Sequence, residues 1–125
     1  MKAYSKAFLV FLVFAIASSY TIKAQQVSCA EIIDYVKSKS YGTTYYSYTS
    51  EAIRQVTFYQ IMGDNYRTYY FAIVQFTSSY KEYIYQVGSN TKFNYSLEYL
   101  DSAGKAFWNY IQPYNQNLGC APDLD

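Results

Sequence analysis

The apolar positions of this chain change period twice. Cys29, Ile32, Ile33 and Val36 fall at i, i+3, i+4 and i+7, one face of a helix. Ser28 and Glu31 frame its start as a capping box, in which each side chain satisfies the other residue's amide. Glu31 and Asp34 sit near the positive end of the helix dipole, and Lys37 and Lys39 near the negative end. The spacing predicts a helix from about Cys29 to Lys39, stopping before Tyr41-Gly42, with Cys29 on its inward stripe. Thr43 to Ser50 is rich in Tyr and Thr without a clear period, and reads either as a strand or as an extended loop over the sheet. From there the pattern is that of strands. Ile53 to Met62 is β-branched and aromatic, Gly63-Asp64-Asn65 is turn chemistry, and Arg67 to Phe76 is apolar on both phases. That last run predicts a central strand, one face under helices and the other under the Tyr-rich segment. Lys81 to Val87 alternates Tyr83, Tyr85 and Val87 with Glu82, Ile84 and Gln86, and predicts the final strand.

Beyond Gly88-Ser89-Asn90 the helical period returns. Phe93, Leu97 and Leu100 predict a short helix over about Lys92 to Leu100, packed through those three residues. Asp101 or Ser102 can cap a second helix whose stripe is Ala103, Ala106, Phe107 and Tyr110, and Pro113 ends it soon after Ile111. Gly104 reads as the point of close approach to the sheet, and the tail from Asn115 as polar and irregular. The fold class is α+β: a small antiparallel meander of three to four strands, packed by an N-terminal helix and two C-terminal helices. At 125 residues this is one domain.

The first 24 residues are expected to lie outside that domain. Lys2 and Lys6 precede an uninterrupted apolar run, Ala7 to Ala17, which suits a signal peptide and is too short to span a bilayer. Cleavage is expected after Ala24, with Ser19 the next choice, leaving 25–125 as the mature domain. Lipidation at Cys29 is rejected, because Gln26-Val27-Ser28 is a poor lipobox and lies far from the apolar run. The chain is expected to be secreted or periplasmic, with no membrane span once the leader is removed. Three of the 10 basic side chains, Lys2, Lys6 and Lys23, leave with the leader, so 7 face 9 acidic ones and the mature charge is near −2. Export places the two cysteines in an oxidising compartment, where only one intramolecular pairing exists, Cys29 with Cys120. In the chain-entropy model, closing so long a loop removes about 4–5 kcal/mol of unfolded-state freedom.

Candidate chemistry is sparse. The chain has no histidine, hence neither the commonest general base nor the commonest metal ligand, and no metal or cofactor is expected. Glu98 and Asp101 form one conceivable carboxylate pair, but three residues apart at a helix junction they read as capping and solvation, and no second constellation supports catalysis. Arg54, Arg67, Lys81 and Lys92 read as charges that guard sheet surfaces and edges. Tyrosine is the unusual feature, with 18 in the chain. Tyr45, Tyr46, Tyr48, Tyr66, Tyr69 and Tyr80 could form an exposed platform for bases, sugars or a protein. The plainer expectation is that these rings cover the outer sheet face, half-buried with their hydroxyls wet.

Residues from about Ala52 to Pro113 resemble the KTSC family, named for an appendage at the C-terminus of some lysyl-tRNA synthetases. Its central Tyr-x-Tyr is matched by Tyr83-Ile84-Tyr85. Its C-terminal helix pattern Ser-x-Gly-x-x-Phe-x-x-x-Ile is matched by Ser102, Gly104, Phe107 and Ile111. The order of three strands, a short helix and a longer helix also agrees. This chain departs from the pattern in its leader, its added N-terminal helix and cysteine pair, and its lack of basic residues after Ile111. The resemblance implies a KTSC-like domain with an N-terminal helix extension. It implies no established activity, and at most the single-stranded RNA binding suggested for the family. The expected function is a secreted, non-enzymatic interaction module that binds an unknown protein or glycan through its tyrosines. RNA binding is the alternative, disfavoured by the mature charge.

Overall fold

The computed structural model describes residues 27–122; the expected leader and its cleavage point lie outside them. Helix α1 (Cys29–Lys39) is followed by strands β1 (Thr43–Tyr46), β2 (Ile53–Met62), β3 (Thr68–Phe76) and β4 (Glu82–Val87). Helices α2 (Thr91–Glu98) and α3 (Ala103–Tyr110), a 3₁₀ turn (Gln112–Tyr114) and the four-residue α4 (Asn115–Leu118) complete the order. The strands form one antiparallel sheet in the order β1-β2-β3-β4. The architecture is α+β, as the sequence predicts.

Side-chain alternation divides the sheet into two covered faces. On one, Val56 and Phe58 of β2, Ala72 and Val74 of β3, and Tyr85 and Val87 of β4 meet Tyr95 of α2 and Ala103, Ala106 and Phe107 of α3. On the other, Ile61, Ile73 and Ile84 take Val36 of α1, flanked by Ile32, Ile33, Tyr59 and Phe71. This is why β3 is apolar on both phases. The second cover is α1, however, and not the Tyr-rich segment. That segment pairs with β2 as the edge strand β1, Tyr46 opposite Gln55, because its Thr and Tyr residues suit a half-buried strand with one edge open.

The capping box forms: Ser28 Oγ accepts from the Glu31 amide at 3.1 Å, and Glu31 accepts from the Ser28 amide at 3.0 Å. Cys29 and Cys120 are joined by a disulfide, their Cα atoms 5.8 Å apart, which fastens α1 to the tail. The tail is more ordered than its polar sequence suggests. Asn115 donates to the Ala121 carbonyl at 3.0 Å and accepts from the Ala121 amide at 3.2 Å. Gly119, at φ 63°, takes the left-handed turn that makes this clamp possible. Asn117 donates to the Gln86 carbonyl at 2.8 Å on the outer edge of β4.

Two expectations about the C-terminal helices need correction. Phe93, Leu97 and Leu100 point outward and are well exposed, while Thr91 and Tyr95 form the buried stripe of α2. Tyrosine is apolar enough over most of its ring to out-compete leucine for the core when the hydroxyl can be tolerated. Gly104 is not a point of close approach: a methyl group added there would meet only Ala52, at an ordinary 3.8 Å. Ser102, rather than Asp101, caps α3, accepting from the Lys105 amide at 3.2 Å. Phe107 and Ile111 are fully buried, Tyr85 nearly so and Tyr83 half-buried, so these positions of the family-like motif are joints of the core.

Candidate functional site: a tyrosine and arginine cleft at the bulged end of the sheet

Ile53 and Val56 are three residues apart on one strand, yet both are buried in the same core cluster. A regular strand would put them on opposite faces. The β2–β3 register resolves this: Ile53 pairs with Phe76, but Gln55 pairs with Gln75, so Arg54 is the extra residue of a β-bulge. The bulge lets Arg54 and Gln55 both line one cleft, with Tyr46, Ser47, Tyr48, Ser50 and Thr77 completing its wall. Its volume is about 310 Å³, at the lower end for small-ligand sites.

The wall is held by hydrogen bonds from the neighbouring loop. The Ser47 amide donates to the Arg54 carbonyl at 3.0 Å, and Ser50 Oγ accepts from the amides of Ala52 at 3.2 Å and Ile53 at 3.0 Å. The Thr77 amide donates to the Ala52 carbonyl at 3.0 Å, and its hydroxyl to the Glu51 carbonyl at 2.6 Å. The Arg54 guanidinium lies 4.6 Å from the centre of the Tyr80 ring, and one terminal nitrogen donates to the Thr77 carbonyl at a long 3.4 Å. Its Nε is buried and has no partner, and neither has the buried hydroxyl of Ser47. The Tyr46 and Tyr48 rings stack nearly parallel, 9° apart in plane with centroids at 5.7 Å. Tyr48 is 88% exposed, Tyr80 78% and Tyr46 50%.

The six candidate tyrosines therefore separate. Tyr46, Tyr48 and Tyr80 gather around Arg54. Tyr45 does not belong to an exposed platform: its ring turns inward, edge-on to Phe58, Tyr95 and Tyr99, with centroids at 5.8, 6.2 and 5.0 Å. Neighbours in a strand face opposite ways, so Tyr45 and Tyr46 cannot share a surface. Tyr66 and Tyr69 lie at the far end of the sheet, in and beside the β2–β3 turn. Tyr66 is exposed at φ 63°, and the Tyr69 hydroxyl accepts from Asn65 at 3.1 Å.

The other candidate charges do not converge. Lys81 sits 5.4 Å from the Tyr83 ring centre, Lys92 donates to Thr43 Oγ1 at 3.1 Å, and Arg67 is exposed beside the far turn. Glu98 accepts a hydrogen bond from the Tyr110 hydroxyl, a contact that raises the Tyr110 pKa, and with Asp101, Ser102, Lys105 and Asn109 it lines a second shallow cleft. Among the described residues no group of three His, Cys, Asp or Glu side chains could hold a metal ion, and no helix is long and apolar enough to cross a membrane. Neither Arg54 nor Ser47 stands out by type. Their signal in the sequence was the parity break between Ile53 and Val56 around a polar pair. Comparison of the chain with protein-family models, with curated proteins and with solved structures finds no match, so the KTSC resemblance is carried by its motif residues alone.

Proposed function

We propose that this protein is a secreted, non-enzymatic binding module that takes a glycan chain at the bulged end of its sheet. The observation that carries the reading is the exposed, parallel Tyr46–Tyr48 stack flanking the Arg54 cleft. A sugar ring offers a flat C–H face to such a surface, and tyrosine gives large rigid contact area at low cost in conformational freedom. Hydrogen-bonding groups of Ser50, Gln55 and Thr77 beside the rings suit hydroxyl-rich ligands. Export to a secreted or periplasmic site is supported by the leader-like sequence and by the disulfide.

Isothermal titration against a panel of neutral and acidic oligosaccharides tests this. Binding to at least one member is expected, and Tyr48→Ala should weaken it at least about tenfold, within the range of 1–3 kcal/mol per ring lost from a stacked contact. A folded protein that binds no sugar in the panel would overturn the reading. Single-stranded RNA is the second reading, since the same rings would accept bases. A mature charge near −2 opposes it, and oligouridylate belongs in the panel as its test.

A further inference from the structure

We infer that β1 is a docking edge for a second copy of this chain, and that two four-stranded sheets join there into one about a two-fold axis. β1 is a terminal strand of its sheet. Its pairing with β2 fixes which backbone groups are left over. The Ser47 amide donates to the Arg54 carbonyl at 3.0 Å, in the same register that sets Tyr46 opposite Gln55. Backbone groups alternate in direction along an antiparallel strand. Thr43, Tyr45 and Ser47 therefore turn theirs to β2, while Thr44 and Tyr46 turn theirs to the open edge. Among the described residues, the amides and carbonyls of Thr44 and Tyr46 have no backbone partner there.

The free groups are symmetric about Tyr45, which is what a second copy needs. With Tyr45 of each copy on the two-fold axis, Thr44 of one exchanges both of its bonds with Tyr46 of the other, and the reverse, so the contact is isologous. The edge also lacks what usually blocks such pairing. Thr43-Thr44-Tyr45-Tyr46 has no charge, proline or glycine, and its register with β2 is unbroken. Lys92 reaches this strand through the Thr43 hydroxyl, on the α2 face that Thr43 shares with Tyr45. The opposite edge of the sheet is closed: Asn117 occupies the Gln86 carbonyl and α4 packs on β4. A contact that uses up the open edge stops at two copies and does not run on into a fibre. The axis is perpendicular to the joined sheet, so both Tyr46–Tyr48 stacks lie on one face and the aromatic surface extends across the pair.

A strand of 4 residues a side makes a small interface, under about 1,200 Å², so the pair is expected to be weak, with a dissociation constant above about 10 µM. Sedimentation equilibrium of the purified protein, from about 10 µM to about 1 mM to bracket that range, should show monomer passing to dimer with no larger species. Amide exchange followed by NMR at both ends of the range gives the site. Thr44 and Tyr46 should be protected in the concentrated sample only, and Thr43 and Tyr45 in both. Tyr46→Pro removes an amide the fold does not use, deletes half of the new ladder, and should weaken the pair at least about tenfold. The exchange pattern comes from the unaltered protein, so a misfolded variant would not leave the matter open. A monomer at the highest concentration overturns the inference. So does a dimer in which the Thr44 and Tyr46 amides exchange as fast as in the monomer. A dimer broken by Leu97→Ser and not by Tyr46→Pro overturns it in favour of the exposed face of α2. Species that grow beyond the dimer overturn the closed pair.

Discussion

Tyr85 and Tyr95 are the costliest residues of the core. Both rings are essentially fully buried, and neither hydroxyl has a hydrogen-bond partner. The Ser47 hydroxyl is near enough to Tyr95 to draw its pKa down a little, yet the pair falls short of hydrogen-bond geometry. Burial dominates, since it disfavours the phenolate: it pushes Tyr95 up to about 12, and Tyr85 further, with Tyr83 adding to the latter. In the unfolded chain these groups ionise near pH 10. Their folded pKa values are raised, so their contribution is complete below about pH 10 and is lost as pH climbs toward 12. Urea unfolding followed across that window should show stability falling steeply above pH 10, and the fall should be shallower in Tyr95→Phe. At neutral pH, Tyr85→Phe should leave stability unchanged or raise it by up to about 1 kcal/mol, because it removes an unpaired polar group and almost no volume. A loss above about 1 kcal/mol would show that the Tyr85 hydroxyl is satisfied after all.

Helix α2 shows how two readings of one element compete. Its conspicuous stripe, Phe93, Leu97 and Leu100, faces solvent, with Leu97 66% exposed, while Tyr95 is fully buried. Leu97→Ser should therefore change the unfolding free energy by less than about 0.5 kcal/mol, whereas Tyr95→Ala should cost about 3–5 kcal/mol by opening the core. Denaturant midpoints of the two variants give the comparison, and similar losses would mean the helix is turned the other way. Period alone located this helix but did not orient it, because tyrosine counts as half polar in the pattern and wholly apolar in the core. Elements with two agreeing signals were legible. Helix α1 has a capping box and a clean stripe, and β4 has strict alternation that correctly assigned Tyr83, Tyr85 and Val87 to one face. Strand β1 was not, since an edge strand of Thr and Tyr has no strong burial contrast. The cleft was half legible. Tyr46, Tyr48 and Tyr80 were on the candidate platform, but Arg54 joins them only through a one-residue register shift against β3, whose trace in β2 is the parity break between Ile53 and Val56.

At the scale of the whole molecule, the part most distant in sequence is held by the covalent bond between Cys29 and Cys120, 91 residues apart. Cys29→Ser and Cys120→Ser should each lower stability by a similar amount, about 2–4 kcal/mol, and the double variant should be little worse than either, because both remove one shared bond. Chemical denaturation of the three variants checks this; unequal single losses would point to a separate packing role for one sulfur. The pairing was evident from the sequence, whereas the clamp of Asn115 on Ala121 that holds the chain beside it was not, since it depends on one side chain meeting two backbone groups six residues on. The bridge also decides how the protein bears load. Tension applied from outside the two cysteines passes through a pair of sulfurs and bypasses the sheet entirely. Roughly 300 Å of chain, the extended length of those 91 residues, is withheld from stretching while the bond stands. Hung from either end, the domain behaves as a short inextensible link whose strands feel no pull, and only a reductant turns it into a spring.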